Sequence, residues 1–158
     1  MITMYGEKYS GDTQYVELCR RTQSIYRHEI GQPIAPYRGH MYGNYISNGK
    51  ESGANFLAEY IHEHALKRVR DKKPYEMIQE DRLFNNLLSS QPMAFNLFYP
   101  LEKLRSESPQ DATRAIQAAL PCYDIALVEE VALEFIPEKY KDITGDKSAM
   151  DAIIRYVD

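Results

Sequence analysis

Two acidic residues near the carboxyl end of the sequence have the type and placement that metal chemistry requires. Asp151 lies inside the apolar run AMDAII, and Glu134 lies inside the preceding apolar run ALEFI. A carboxylate in an apolar strand is unfavourable unless it is paired with a cation or bound to a metal. On neighbouring antiparallel strands the two carboxylates could share one Mg²⁺, which would polarise a phosphodiester and activate a bound water.

Each carboxylate also has an interpretation that needs no metal. Asp151 could begin a strand, where its side chain would bond to a turn or face solvent. Glu129 and Glu130, close to Glu134, are typical of a solvated strand edge. The pair therefore favours a metal site without being specific for one.

Other arrangements of catalytic or metal-binding residues are not found in the sequence. His62 and His64 are two positions apart, so on a helix their rings point roughly 200° away from each other and cannot share an ion. No serine nucleophile motif and no glycine-rich phosphate loop is present. Cys19 and Cys122 have no ligand spacing and are interpreted as reduced thiols, which predicts a cytoplasmic protein.

Charge and tyrosine content bear on nucleic-acid binding. The net charge of −4 argues against a protein that coats nucleic acid by charge alone. The run KRVRDKK, residues 67–73, carries five cations and one anion, and it could either contact phosphates or end a helix whose dipole favours cations. Tyrosines of the front half could stack on bases or form the edges of a core. They are Tyr5, Tyr9, Tyr15, Tyr26, Tyr37, Tyr42 and Tyr45.

Periodicity and capping predict that residues 1–121 are mainly helical and that residues 122–158 form a strand hairpin. The predicted helices are 12–30, 55–70, 74–90, 94–105 and 109–120, a long irregular loop spans 31–53, and strands are centred on 131–135 and 149–158. The pattern predicts an α+β fold and a single domain, 1–158. No run of eighteen apolar residues and no secretory signal is visible, so no membrane partner is expected.

The predicted sheet is incomplete. A lone two-stranded hairpin is marginal in water, and three or more strands are usually needed for independent stability. We therefore expect either that another chain, in a homo-oligomer or as a second protein, supplies strands, or that the native protein continues beyond Asp158.

The run RLFNNLLSSQPMAFNLFYPL, Arg82 to Leu101, resembles the signature of a restriction endonuclease family within the PD-(D/E)xK nuclease superfamily. Three further landmarks of that family follow its order along the chain: SGANFL at 52–57, LEFIPE at 133–138 and DKSAMDAI at 146–153. The resemblance covers roughly Gly39 to Tyr156, and the Ser-Ser-Gln-Pro run is its specific part.

The resemblance implies a Mg²⁺-dependent DNA hydrolase whose amino-terminal helices pack on the start of a restriction-endonuclease-like mixed sheet. Asp151 matches the metal-binding aspartate of the superfamily, and Glu134 matches an acidic position that supports the metal or the structure. The polar residues of the signature face the substrate or form a satisfied internal network. The predicted substrate-binding residues are Asn86, Ser89, Ser90, Gln91, Asn96, Lys67, Arg68 and Arg70.

The sequence departs from the superfamily at one point. The superfamily places a Glu-x-Lys on the strand after the aspartate, and no Glu-x-Lys follows Asp151 here. The chain alone is therefore expected to be inactive, as a truncated portion, one half of a split protein, or a degenerate relative. Two alternatives to a nuclease stay open: a non-catalytic protein that binds a partner through its unfinished sheet edge, and a DNA-binding module.

Overall fold

The computed structural model describes residues 3–72, 77–136, 145 and 149–158. Its helices are α1 (Gln14–Glu29), α2 (Gly49–Ser52), α3 (Glu59–Arg70), α4 (Ser90–Glu107) and α5 (Pro109–Ala119), with a π-helical segment at Asp81–Asn85 and strands β1 (Leu127–Phe135) and β2 (Met150–Val157). The predicted α+β class and the incomplete sheet are confirmed, because the described residues contain one two-stranded antiparallel sheet. No helix in the described ranges is long and apolar enough to cross a membrane.

Contacts along the chain group it into two compact units. The first unit contains Met1–Leu66 and Gln79–Pro92, and the second contains Lys67–Ile78 and Met93–Asp158. The single domain 1–158 stays a prediction.

In the first unit, helix α1 turns a polar face inward. Thr13 caps the helix by accepting a hydrogen bond from the Val16 amide at 3.3 Å. Ser24 and Arg27 are its buried residues, and Ser24 donates to the Arg20 carbonyl at 2.7 Å. Tyr15 remains 74% exposed. Val16, Ile25 and Tyr26 are also exposed.

Arg20 is held against the rest of the first unit by a buried ion pair. Its guanidinium donates to both carboxylate oxygens of Asp12, at 2.6 and 2.9 Å, and also to the Asn44 side chain. The Asp12 side chain is only 4% exposed. These hydrogen bonds from Arg20 hold the pKa of Asp12 below its ordinary value.

The lowered pKa of Asp12 predicts a specific pH dependence. A carboxylate with a depressed folded pKa contributes stability above its unfolded pKa, about 3.9, and loses it as the pH falls through the folded pKa. Asp12→Asn is expected to lower the free energy of unfolding by about 2 kcal/mol at neutral pH. The difference in the free energy of unfolding between Asp12→Asn and wild type should shrink toward zero in acid. Urea denaturation at a series of pH values measures it. A difference that stays constant into acid would contradict the assignment, and Asp71→Asn, at an exposed pair with Arg70, is the matched control.

The predicted helix 74–90 is wrong over its described part. Only Asp81–Asn85 is helical, and it is π-helical, after which Asn86 is extended. The reason is that the backbone and side chains here bond to a distant segment instead of to a helical ladder. Ile46 donates its amide to the Asn85 carbonyl at 3.0 Å, and the Asn44 side chain donates to Asn86 at 2.8 Å.

Helix α4 begins four residues before the predicted start at 94, because Ser90, Gln91 and Pro92 form its first turn. A proline is tolerated there since the first-turn amides have no partner within the helix.

The second unit joins α5 to the sheet through an apolar core. Its buried residues, with the half-buried side chains packed on them, are Ile116, Ile125, Val128, Val131, Phe98, Leu101 and Ile154. Thr113 fixes the helix to the strand, because its hydroxyl accepts the Val128 amide at 3.0 Å and donates to the Pro109 carbonyl at 2.8 Å. Gln117 adds a hydrogen bond to the Ile125 carbonyl at 2.7 Å.

Strand β1 begins four residues before the predicted centre and contains a bulge. Val128 pairs with Tyr156, but Glu130 pairs with Arg155, so Glu129 is the extra residue. From Glu130 onward the register is regular, through Leu133↔Ala152 to Phe135↔Met150. The residues that connect the two strands lie outside the described part except for Ile136, Gly145 and Ala149.

Candidate functional site

The sheet of the second unit places the two predicted metal ligands opposite each other. The pairs on either side are Leu133↔Ala152 and Phe135↔Met150, which leaves Glu134 and Asp151 as the intervening residues of the two strands. The predicted neighbouring-strand arrangement of Glu134 and Asp151 is therefore present in the ladder.

Glu134 has an unusual backbone conformation for a strand residue. Its φ angle is +50°, and Glu134 and Arg38 are the non-glycine residues with a positive φ in the described chain. A left-handed conformation costs a non-glycine residue roughly 1–2 kcal/mol, and such strain concentrates at functional sites. Glu134 and its neighbour Leu133 are both buried, at 6% and 3% exposure, where regular alternation would expose one of them.

Asp151 lies at the second position of β2 and is exposed. This placement matches the alternative in which the carboxylate sits near a strand start and faces solvent. Exposure leaves the carboxylate accessible to an ion and to a substrate phosphate. Its role as a metal ligand stays a prediction.

A cation shares this part of the sheet. Arg155 pairs with Glu130 across the strands at 2.9 Å, and its guanidinium lies 5.4 Å from the centre of the Phe135 ring. Strand alternation places Glu130, Asp151 and Arg155 on the same face. The face therefore combines carboxylates with a guanidinium that could contact a phosphate.

The model of the PD-(D/E)XK nuclease superfamily matches residues 10–158 of the chain, nearly its whole length. The chain belongs to this superfamily. No match was found among the curated proteins or the solved structures. The match confirms the superfamily to which the Arg82–Leu101 run pointed.

The fit of Glu134 and Asp151 to a divalent metal depends on how many protein ligands the metal needs. The described residues contain no group of three or more histidines, cysteines or carboxylates that could hold a metal. Mg²⁺, however, is commonly bound by one or two carboxylates, with waters and substrate phosphates completing its six oxygen ligands. Glu134 and Asp151 would supply two such carboxylates and do not fit an all-protein cage, and a metal site shared between them stays a prediction.

Asn86, Ser89 and Gln91 of the signature form internal contacts in the first unit. Asn86 accepts hydrogen bonds from Asn44 at 2.8 Å and from the Leu88 amide at 2.9 Å. Gln91 is 4% exposed and accepts the Gln79 amide at 3.1 Å, and Ser89 accepts the Gln91 amide at 3.3 Å. These contacts are those expected if the signature residues form an internal hydrogen-bond network. A substrate-facing role for Asn86, Ser89, Ser90, Gln91 and Asn96 stays a prediction.

The predicted phosphate-binding cations lie at the end of α3. Lys67, Arg68 and Arg70 occupy the last turn, where the helix dipole favours positive charge. Arg70 is paired with Asp71 at 3.0 Å, and Lys67 is exposed. These positions allow phosphate contact and are also explained by the dipole alone, so the assignment stays a prediction.

Glu102 is a candidate that the sequence did not reveal. It lies half-buried in α4, where burial raises its pKa, the charges of Arg68 and Arg105 lower it, and that of Glu130 raises it. A carboxylate perturbed by burial among charges is typical of functional sites. No motif marks Glu102, because its burial depends on packing within the second unit.

Proposed function

We propose that this chain carries the metal-binding acidic pair of a Mg²⁺-dependent DNA endonuclease, a phosphodiester hydrolase. The observation that supports the proposal is the placement of Glu134 and Asp151 between the same two residue pairs of adjacent strands, in a member of the PD-(D/E)XK nuclease superfamily. The reduced cysteines of the sequence are consistent with action in the cytoplasm.

In this proposal both carboxylates are metal ligands. Asp151 is the accessible ligand, and Glu134 is the buried one. Bound Mg²⁺ supplies polarisation of the phosphodiester and a lowered pKa for its water. The left-handed backbone at Glu134 holds its carboxylate in place before the metal arrives. Such preorganisation avoids an ordering cost at the time of binding.

The superfamily also requires a glutamate and a lysine from a Glu-x-Lys element. The residues that follow Asp151, AIIRYVD, contain neither. We therefore assign metal binding to this chain and expect cleavage where another polypeptide segment, in a homo-oligomer or a second chain, brings a glutamate and a lysine to the metal.

A cleavage assay tests the proposal directly. Supercoiled plasmid is incubated with the chain and Mg²⁺ or Mn²⁺, with EDTA and the Asp151→Asn variant as controls. Nicking that requires metal and disappears in Asp151→Asn supports the nuclease and shows that these 158 residues suffice. Nicking that persists in the variant contradicts the assigned site.

The cations of α3 predict the salt dependence of DNA binding. Replacing Lys67 or Arg68 by glutamine removes one positive charge. If that side chain contacts one DNA phosphate, each replacement should reduce the slope of log K for DNA binding against log salt concentration by about 1. Binding is measured by fluorescence anisotropy of labelled duplex DNA, with Ca²⁺ in place of Mg²⁺. Arg114→Gln, at an exposed arginine of α5, is the charge-matched control. An equal change of slope in all three variants would show a general charge effect.

A second function, partner binding without catalysis, is favoured by the open sheet. Within the described residues β1 and β2 have only each other as neighbours, so each presents an edge to which a strand could add. Sedimentation would separate the two functions. A stable complex that forms equally in wild type and Asp151→Asn, without metal-dependent nicking, would favour partner binding.

A further inference from the structure

A cavity in the first unit is lined by planar and cationic side chains that the metal site does not use. It encloses about 420 Å³ and is bounded by four tyrosines, two arginines and His40. This volume lies within the usual range for small-ligand sites. All of its lining residues belong to the first unit.

Four of the rings that line the cavity form two stacked pairs, and the Tyr9 ring packs edge-on against Tyr42. Tyr37 stacks on Tyr45 with ring centres 4.4 Å apart and planes 15° apart. His40 stacks on Tyr42 at 5.3 Å and 19°. Tyr42 and Tyr45 are buried, so these pairs are fixed in the wall. A planar ligand ring can extend such pairs without rearranging them.

The two arginines of the wall have different environments. Arg20 lies 5.3 and 5.5 Å from the ring centres of Tyr42 and Tyr9, and Asp12 neutralises its charge. Arg38 is exposed, and no carboxylate of the described chain lies within ion-pair distance of it. Its guanidinium lies 5.2 Å from the centre of the Tyr37 ring. Arg38 is therefore the cation that an incoming anion would meet.

The backbone at Arg38 is strained. Arg38 and Gly39 form a two-residue turn with φ angles of +51° and +83°. The turn is closed by hydrogen bonds between Tyr37 and His40 in both directions, at 2.8 and 3.0 Å. Glycine, asparagine and aspartate are the residues that such a turn favours. An arginine at this position carries a conformational cost, and such strain is concentrated at functional sites.

We propose that the cavity binds one unpaired nucleotide of a DNA strand, with its base among the tyrosine rings and its phosphate on Arg38. Aromatic side chains stack on any base, and a guanidinium can bind phosphate through two parallel hydrogen bonds. Bases inside a duplex are stacked on their neighbours and cannot enter a pocket without being extruded.

The choice of DNA as ligand rests on the proposed function, but the cavity uses neither Glu134 nor Asp151. Binding is therefore measured in EDTA, where no metal site operates. The Asp151→Asn variant should bind a single strand as wild type does, so loss of the metal site and loss of the cavity are separate results.

Tyrosine fluorescence provides the signal, because the chain contains 13 tyrosines and no tryptophan. A short oligothymidylate is expected to quench it and to bind at least about 10-fold more tightly than a blunt duplex or an abasic oligonucleotide of equal length. Equal affinity for the abasic strand would show binding through phosphates alone and would overturn the proposal. Equal affinity for the duplex would overturn it as well.

Two variants localise the binding to this cavity. Arg38→Gly removes the guanidinium and relieves the strained turn, so it should weaken binding about 10-fold while the protein is at least as stable as wild type. Tyr37→Leu should weaken binding by a similar factor. Arg21→Ala is the matched control, because that arginine lies 5.0 Å from the Tyr5 ring centre and outside this cavity. If Arg38→Gly binds as Arg21→Ala does, the assignment of the cavity is wrong.

Discussion

Replacing Arg27 by methionine is expected to lower the free energy of unfolding by about 4 kcal/mol. Arg27 is 4% exposed and donates to the carbonyls of Gly43 and Met4, each at 2.8 Å, and to that of Gln32. Three chain segments of the first unit meet at this guanidinium. Methionine fills much of the same volume but leaves three backbone carbonyls without this donor, of which that of Gly43 accepts a buried hydrogen bond.

Urea denaturation followed by circular dichroism measures this effect. Arg21→Met is the matched control, because Arg21 is an exposed arginine of the same helix. The free energy of unfolding of Arg21→Met should stay within about 1 kcal/mol of that of wild type. A similar small change for Arg27→Met would show that these carbonyls are satisfied without Arg27, and would contradict its role in joining the segments.

Replacing Glu134 by glycine is expected to separate stability from metal binding. At a φ angle of +50° alanine is strained and glycine is not, so Glu134→Gly should be more stable than Glu134→Ala by about 1 kcal/mol. Both variants lack the carboxylate, and both should lose at least about 100-fold in affinity for Mn²⁺. Glu134→Gly should therefore be the more stable variant, and both variants should bind Mn²⁺ equally weakly.

Thermal unfolding and metal titration on the same samples measure both quantities. Glycine also loosens a strand, which works against its advantage, so the comparison with alanine at the same position is the informative one. If Glu134→Ala proves the more stable variant, the left-handed conformation is not a property of the folded chain in solution. If either variant binds Mn²⁺ as wild type does, Glu134 is not a metal ligand.

Local signals were sufficient where the structure depends on neighbours in sequence. Helix α5 begins at Pro109 as predicted, since a proline after Ser108 starts a helix without needing its amide. The carboxyl-terminal hairpin was likewise predicted from two apolar runs separated by turn residues. The opposition of Glu134 and Asp151 followed from that hairpin only as a possibility, because register depends on the bulge at Glu129.

Long-range hydrogen bonds account for what the sequence did not predict. Asn85 and Asn86 lie within a helical apolar pattern, but their partners are residues 44–49, far away in the chain. Arg27 is buried because acceptors at positions 4, 32 and 43 surround it, and no periodicity reports such acceptors. The positive φ of Glu134 also had no local signal, since neither glycine nor asparagine stands there.

Calorimetric titration of Mn²⁺ into the metal-free chain tests the central claim most directly. Wild type should bind Mn²⁺, and Asp151→Asn should bind at least about 100-fold more weakly, because a direct ligand matters at least as much as the groups that orient one. Glu129→Gln, which removes an exposed carboxylate of the same strand, should bind as wild type does. Equal binding by wild type and Asp151→Asn would contradict a metal site formed by Glu134 and Asp151.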